Sequence, residues 1–120
     1  MATNRLIKTY RAEGAIPAYT IVKFSAADYE VAIAAAQADK IVGVTTEVAP
    51  LDQEPVDVVH TGIAYVMVGA AGAVVRGDLI ASDALGCAIT AVSPARFIGT
   101  AIQSGAAGEV IEVLLGFGLI

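Results

Sequence analysis

The chain has 120 residues, of which 57% are apolar and 16% charged, against a norm of roughly 25% charged residues in soluble domains. That length suits one domain with its own core, and the lone cysteine, Cys87, can form no internal disulfide, so it reads as a small buried thiol. A net charge of −5 argues against a nucleic-acid partner, because phosphate binding needs a larger basic patch, and a surface so poor in charge is suited to meeting other protein.

Residues 1–13 read as an extended N-terminal arm or an edge strand. Arg5, Lys8 and Arg11 precede every acidic residue, and the remainder carries four basic against twelve acidic side chains. A basic arm of this kind is drawn to an acidic neighbour. No secretory signal is visible, since Lys8 directly follows Leu6-Ile7. From Gly14 the pattern becomes that of short apolar strands: Tyr19 to Val22 after Pro17, Tyr29 to Ala34, Ile41 to Val48, and Val56 to Thr61 after the polar loop 50–55. Ser25 to Lys40 contains good helix formers, but its partner in the repeat described below carries Gly86 and Pro94, so at most one helical turn is expected at 35–40.

Gly62 interrupts an extended run that resumes from Ile63 to Val68, which suggests a bulge. Val58 to Val75 lacks any Asp, Glu, Lys or Arg, yet its glycines and valines favour strand, turn and strand over a membrane helix. Gly69 to Gly72 reads as a reversal between valine-rich strands. Turns follow at Arg76-Gly77-Asp78 and Asp83 to Gly86. Strands are then expected at 97–103 and 109–115, and LLGFGLI closes the chain with no charge, so Phe117, Leu119 and Ile120 should be covered by the body or a neighbour.

The order of features repeats. Gly14, Ile21-Val22, Val31 to Ile33, Ile41-Val42-Gly43, Glu54 and Val56 to Val59 match Gly72, Leu79-Ile80, Cys87 to Ile89, Phe97-Ile98-Gly99, Glu109 and Ile111 to Leu114. Two related halves, about 14–59 and 72–114, therefore build one domain over 14–120. Frequent turns between short apolar strands define the fold class as all-β, a small compact β-barrel or sandwich.

No chemistry-bearing motif emerges. His60 is the only histidine, and a metal would need carboxylates such as Asp57 or Glu54 on uncertain faces, so a contact between subunits suits it better. No serine lies in a nucleophile elbow, no phosphate loop is present, and Asp52 and Glu54 read as solvated. The Arg76-Gly77-Asp78 tripeptide is explained by its turn. The expectation is a non-enzymatic protein with no catalytic residue, metal or cofactor.

The stretches IVGVTTEVAPLDQEPVDVVHTGIAYV, GAVVRGDLIASDALGCAI and FIGTAIQSGAAGEVIEVLL, together with the Gly77-Asp78 turn, the Asp83 to Gly86 turn, Ile98-Gly99 and Gly108-Glu109-Val110, resemble the capsid cement or decoration proteins of tailed-phage heads. The resemblance spans about residues 14–115 and implies a structural virion protein. Such a protein binds the outer surface of the expanded head and stabilises it against internal DNA pressure, after synthesis in the host cytoplasm. It also implies two partners, the major capsid protein and further copies of the chain itself, as a homotrimer or alternatively a dimer, with neither nucleic acid nor membrane. On this reading Arg5, Leu6, Lys8, Tyr10 and Arg11 contact the capsid or a neighbour, and Leu114, Phe117, Leu119 and Ile120 form the subunit interface. Gly43, Gly62, Gly77, Asp78, Gly86, Gly99 and Gly108 shape structural turns. The alternative is a small β-barrel module that binds a ligand or carbohydrate without catalysis; it lacks tryptophan, and Tyr10, Tyr19, Tyr29 and Tyr65 are scattered in sequence.

Overall fold

A computed structural model describes residues 5–120, so the first four residues of the expected arm lie outside the described residues. Ten strands and no helix make up the described chain: β1 (Leu6–Ala12), β2 (Ile21–Phe24), β3 (Glu30–Ile33), β4 (Ile41–Thr45), β5 (Pro55–Thr61), β6 (Ile63–Met67), β7 (Leu79–Ser82), β8 (Ala88–Thr90), β9 (Arg96–Ala101) and β10 (Val110–Leu119). The all-β reading holds. β1 to β5 close into a barrel in the order β1-β3-β2-β4-β5, and β6 to β10 form a sheet in the order β6-β10-β9-β7-β8.

Matching β1 to β6, β2 to β7 and so on makes the two orders the same. In both halves the first strand lies beside the fifth, the fifth beside the fourth, the fourth beside the second, and the second beside the third. The pairings agree residue by residue: Val22 faces Gly43 as Ile80 faces Gly99, and Val44 faces Val59 as Thr100 faces Leu114. Even the parallel contact that closes the first barrel, Ala12 with Val31, recurs as a single bridge between Val68 and Ala88. Glu13 N donates to Val31 O at 2.8 Å, and Gly69 N to Ala88 O at 2.9 Å. The duplication is therefore larger than the 14–59 and 72–114 matched in sequence. It takes in β1 and meets its copy at Gly62, and Val31 corresponds to Ala88 rather than Cys87.

The core repeats in the same way. Ala12, Ile16, Val22, Val31, Val42, Val56 and Val58 form one buried cluster, and their counterparts Val68, Val74, Ile80, Ala88, Ile98, Ile111 and Val113 are buried in the second. Successive strand residues point to opposite faces, so Ile21 beside Val22 and Val59 beside Val58 face outward from the barrel. There Ile21, Ala34, Val44 and Val59 join the second half's cluster, with Ile41 and Leu115 packed at its margin. Among the described residues no buried side-chain nitrogen or oxygen lacks a partner.

Three expectations change. The arm does not stand apart from the barrel over its described length: from Leu6 on it is β1, paired antiparallel with β5 from Leu6–Thr61 to Arg11–Pro55, so its loss would open the barrel. Gly62, with φ of 95°, marks the crossing from barrel to second sheet rather than a bulge within one strand. Ala73 to Val75 is not a strand, and only Val74 bridges to Gly105, because the backbone here turns twice within a few residues.

Gly43 and Gly99 are two glycines that the fold cannot replace. A Cβ on Gly43 would overlap the carbonyl oxygen of Val59, and one on Gly99 would overlap that of Leu114, the same contact in each half. Gly43→Ala and Gly99→Ala should each lower unfolding free energy by about 2–4 kcal/mol in urea titrations. Gly116→Ala, where a Cβ meets open space, should stay within about 0.5 kcal/mol of the parent.

Candidate functional site

Several carboxylates are engaged in holding turns and loops. Asp83 Oδ1 accepts from Leu85 N and Cys87 N at 2.8 and 2.9 Å. Asp78 Oδ2 accepts from Val75 N at 2.9 Å and Thr90 Oγ1 at 3.1 Å, which turns the Arg76-Gly77-Asp78 carboxylate back onto its own loop. Glu54 Oε1 accepts from Leu51 N, and Glu109 Oε1 from Ala106 N, each at 2.7 Å, so the repeat preserves the closing carboxylate of one turn. Asp52 accepts from Gly14 N at 2.8 Å, and that bond foremost, then Gln53, holds its carboxyl below the usual range. Asp52 and Glu54 are thus turn locks rather than merely solvated groups. Among the described residues no three His, Cys, Asp or Glu side chains gather as a metal site.

Cys87 is half-buried, less covered than expected, and burial followed by the nearby Asp83 charge pushes its thiol up. The thiolate is the nucleophile, so alkylation of Cys87 in the folded protein should set in only above the pH at which an unfolded control reacts. Equal pH profiles for the two would contradict this assignment.

Two surfaces carry the residues singled out in the sequence. The first surrounds β1 at the barrel mouth, where a groove of about 440 Å³ is lined by Lys8, Tyr10, Phe24 and residues 25–29. Tyr10 and Ala12 pack with the barrel core, which puts Lys8, on the same face, at the rim. Tyr10 Oη lies 2.7 Å from His60 Nε2, a hydrogen bond between the two side chains, and burial raises the Tyr10 pKa. His60 thus has a partner inside the chain, where the sequence suggested a subunit contact. The Lys8 ammonium lies 5.9 Å from the Tyr10 ring centre and 5.3 Å from that of Tyr29, within cation–π range.

Arg11 belongs to the barrel seam. Its Nη2 lies 3.1 Å from Glu30 Oε2 and its Nε 3.2 Å away. The Ser25 hydroxyl sits 2.9 Å from Glu30 Oε1 and 2.7 Å from Glu13 Oε1, donating to one at a time. The Ser25 bond foremost, with Arg11 behind it, holds the Glu30 carboxyl below the usual range despite some desolvation. A depressed folded pKa gives stability that is present above the unfolded glutamate value and is lost as pH falls through the folded one. Glu30→Gln should accordingly flatten the decline in melting temperature across that acid window, while wild type declines more steeply.

Of the five expected arm contacts, then, Arg11 and Tyr10 are held by the barrel itself and Lys8 leans on two rings, while Arg5 and Leu6 are exposed. Sequence alone missed Phe24 and Tyr29. They lie some twenty residues from β1 and join it only because the parallel β1–β3 contact brings the 25–29 loop alongside.

The second surface is the far end of β10. Leu114, Phe117, Leu119 and Ile120 are all exposed in the single chain, Leu119 at 68%. β6 pairs with β10 only as far as Leu114 and Gly62 O accepts from Leu115 N, so from Gly116 onward β10 has β9 on one side and, among the described residues, no strand on the other. Its end is tied down by reciprocal bonds between Ala95 and Ile120 at 3.0 and 3.2 Å. The Phe97 ring lies over Gly118, where a Cβ would collide with it. Grooves of about 180 and 370 Å³ flank this end, lined by Ile41, Phe97 and Phe117 and by Ala38, Pro94 and Ile120. The four residues expected at a subunit interface therefore share one exposed apolar strand end.

No protein-family model matches this chain, and no curated protein sequence does. The chain is similar in structure to the N base of the head fiber gp8.5 in bacteriophage phi29, with a TM-score of 0.72 and 18% identity over 94% of this chain and 95% of that one. At that identity the likeness is one of fold.

Proposed function

We propose that this protein is a structural component of a tailed-phage virion that binds the outer surface of the expanded head as a cement or decoration protein. The observation that carries this reading is the correspondence of fold with a phage head-fiber base over almost the full length of both chains. The exposed strand end Leu114, Phe117, Leu119 and Ile120 supports a homo-oligomer, trimer or dimer, because an apolar end of this kind gains most from being covered. Arg5, just before β1, and Leu6 and Lys8 on β1 supply the contact to the shell or to a neighbouring copy. Many copies on one particle turn modest contacts into firm attachment, which is how a small domain stiffens a shell against the pressure of packaged DNA.

Co-sedimentation with expanded, DNA-free heads lacking the protein tests this directly, with unexpanded precursor shells as control. The expected outcome is saturable binding to expanded heads at a fixed ratio to the major capsid protein, with little binding to precursor shells. Failure of the folded protein to bind either shell would overturn the proposal.

A further inference from the structure

The two halves differ in one respect that their shared topology makes plain. In each, the third strand meets the first at only one or two residues, which leaves the earlier part of the first strand with a free edge. In the second half that edge is covered from within the chain. Met67 N donates to Tyr19 O at 3.1 Å, and the Tyr19 ring packs edge-on against Tyr65 with centres 6.4 Å apart. A turn of the first half thus lies where a further strand would lie in the second.

In the first half the matching donor, Arg11 N, is taken by Tyr29 O, and among the described residues the edge is bare only before it, at Thr9, the counterpart of Tyr65. Arg11 N donates to Tyr29 O and Glu13 N to Val31 O, while Ala12 N donates to Glu54 O, so odd-numbered residues of β1 turn their backbone groups toward β3 and even-numbered ones toward β5. Pairing with β3 begins at Arg11, so the N–H and C=O of Thr9 face the groove with no strand beside them. Opposite stand the exposed rings of Phe24 and Tyr29. Tyr29 is 71% exposed and holds a left-handed backbone, φ 60°, as does Tyr19, φ 57°. Arg5 and Lys8 have no carboxylate within salt-bridge distance among the described residues, whereas Arg11 does.

We infer that the groove between β1 and the 24–29 loop receives a short extended segment of a partner protein, which adds as a strand to the free edge at Thr9. The segment places an aromatic or large apolar side chain between Phe24 and Tyr29 and a carboxylate near Lys8. Strand addition of this kind takes affinity from backbone hydrogen bonds and selectivity from alternate side chains. Asp28 on the loop wall excludes a second acid there and sets the direction of the segment. Resting on the function proposed above, the partner is the shell subunit, and the bound segment covers Thr9 as the Tyr19 ring covers its counterpart Tyr65 in the second half.

The test uses the full chain and purified expanded heads, with a photoreactive phenylalanine analogue at Phe24 and, separately, the variant Tyr29→Gly. Glycine suits the left-handed backbone at this position, so the variant keeps or gains stability while it loses one aromatic wall. The expected result is a covalent cross-link from position 24 to the major capsid protein, together with a loss of head affinity of at least roughly tenfold in Tyr29→Gly at unchanged melting temperature. Unchanged affinity of Tyr29→Gly, with saturable binding but no cross-link to the shell subunit, would overturn the inference and leave the head-binding function standing. A cross-link to a neighbouring copy of this chain, or one suppressed by soluble oligosaccharide, would likewise overturn the choice of occupant. Binding to no shell at all would remove the proposed function, and this inference with it.

Discussion

Ile21, Ala34, Val44 and Val59 lie on the outer wall of the first barrel, and what they touch is the second half. Ile21, Val44 and Val59 are each worth about 1.5–3 kcal/mol when taken out of water. The strands that carry them are already apolar inward, through Val22, Val42 and Val58, so the first half on its own would leave an apolar wall in solvent. That constraint explains the many adjacent apolar pairs in this chain. A strand covered on one face alternates, whereas one covered on both reads as continuous Val and Ile. It also explains how a protein with so few charges folds into one body, since the second half supplies the covering layer.

The two halves have diverged chiefly where they meet other things. Their inner clusters correspond position by position, and so do the glycines that admit a neighbouring carbonyl, Gly43 and Gly99. The glutamate that closes the turn before the last strand is also common to both, as Glu54 and Glu109. What differs is the closure. The first barrel closes through β1 and β3 with the Arg11–Glu30–Ser25 contacts at the seam, while the second sheet closes through one bridge and borrows Tyr19. The last strand differs too, running as far as Leu119 in the second half where β5 ends at Thr61 and turns at Gly62. The barrel mouth and the end of β10 are thus the places where the repeat is broken, and both carry exposed apolar side chains.

Polar chemistry in this molecule is largely architectural. Glu54, Asp78, Asp83 and Glu109 each accept backbone N–H groups across a turn, and Asp52 accepts one from Gly14 in a distant loop. Such bonds let short strands follow one another without helices between them. Carboxylates held in this way are committed to the fold. The two uncommitted surfaces differ, one mixing Lys8 with aromatic rings and the other almost wholly apolar.

From the sequence by itself follow the all-β class, the frequency of turns, the existence of two related halves and the apolar end at Phe117 to Ile120. All of these are set by local spacing, since period-two apolar runs, glycines and prolines act within a few residues. The matches at Ile21-Val22, Gly43 and Glu54 were legible because the same side chain meets the same neighbour in each half. Tertiary structure alone decided that β1 belongs to the barrel, since its own residues show no apolar face and its order comes from pairing with β5, some fifty residues away. The same holds for Tyr10 with His60, and for Phe24 and Tyr29 beside Lys8. Hydrogen bonds between distant strands depend on which edges meet, and a one-dimensional pattern fixes the period of a strand without naming its neighbour.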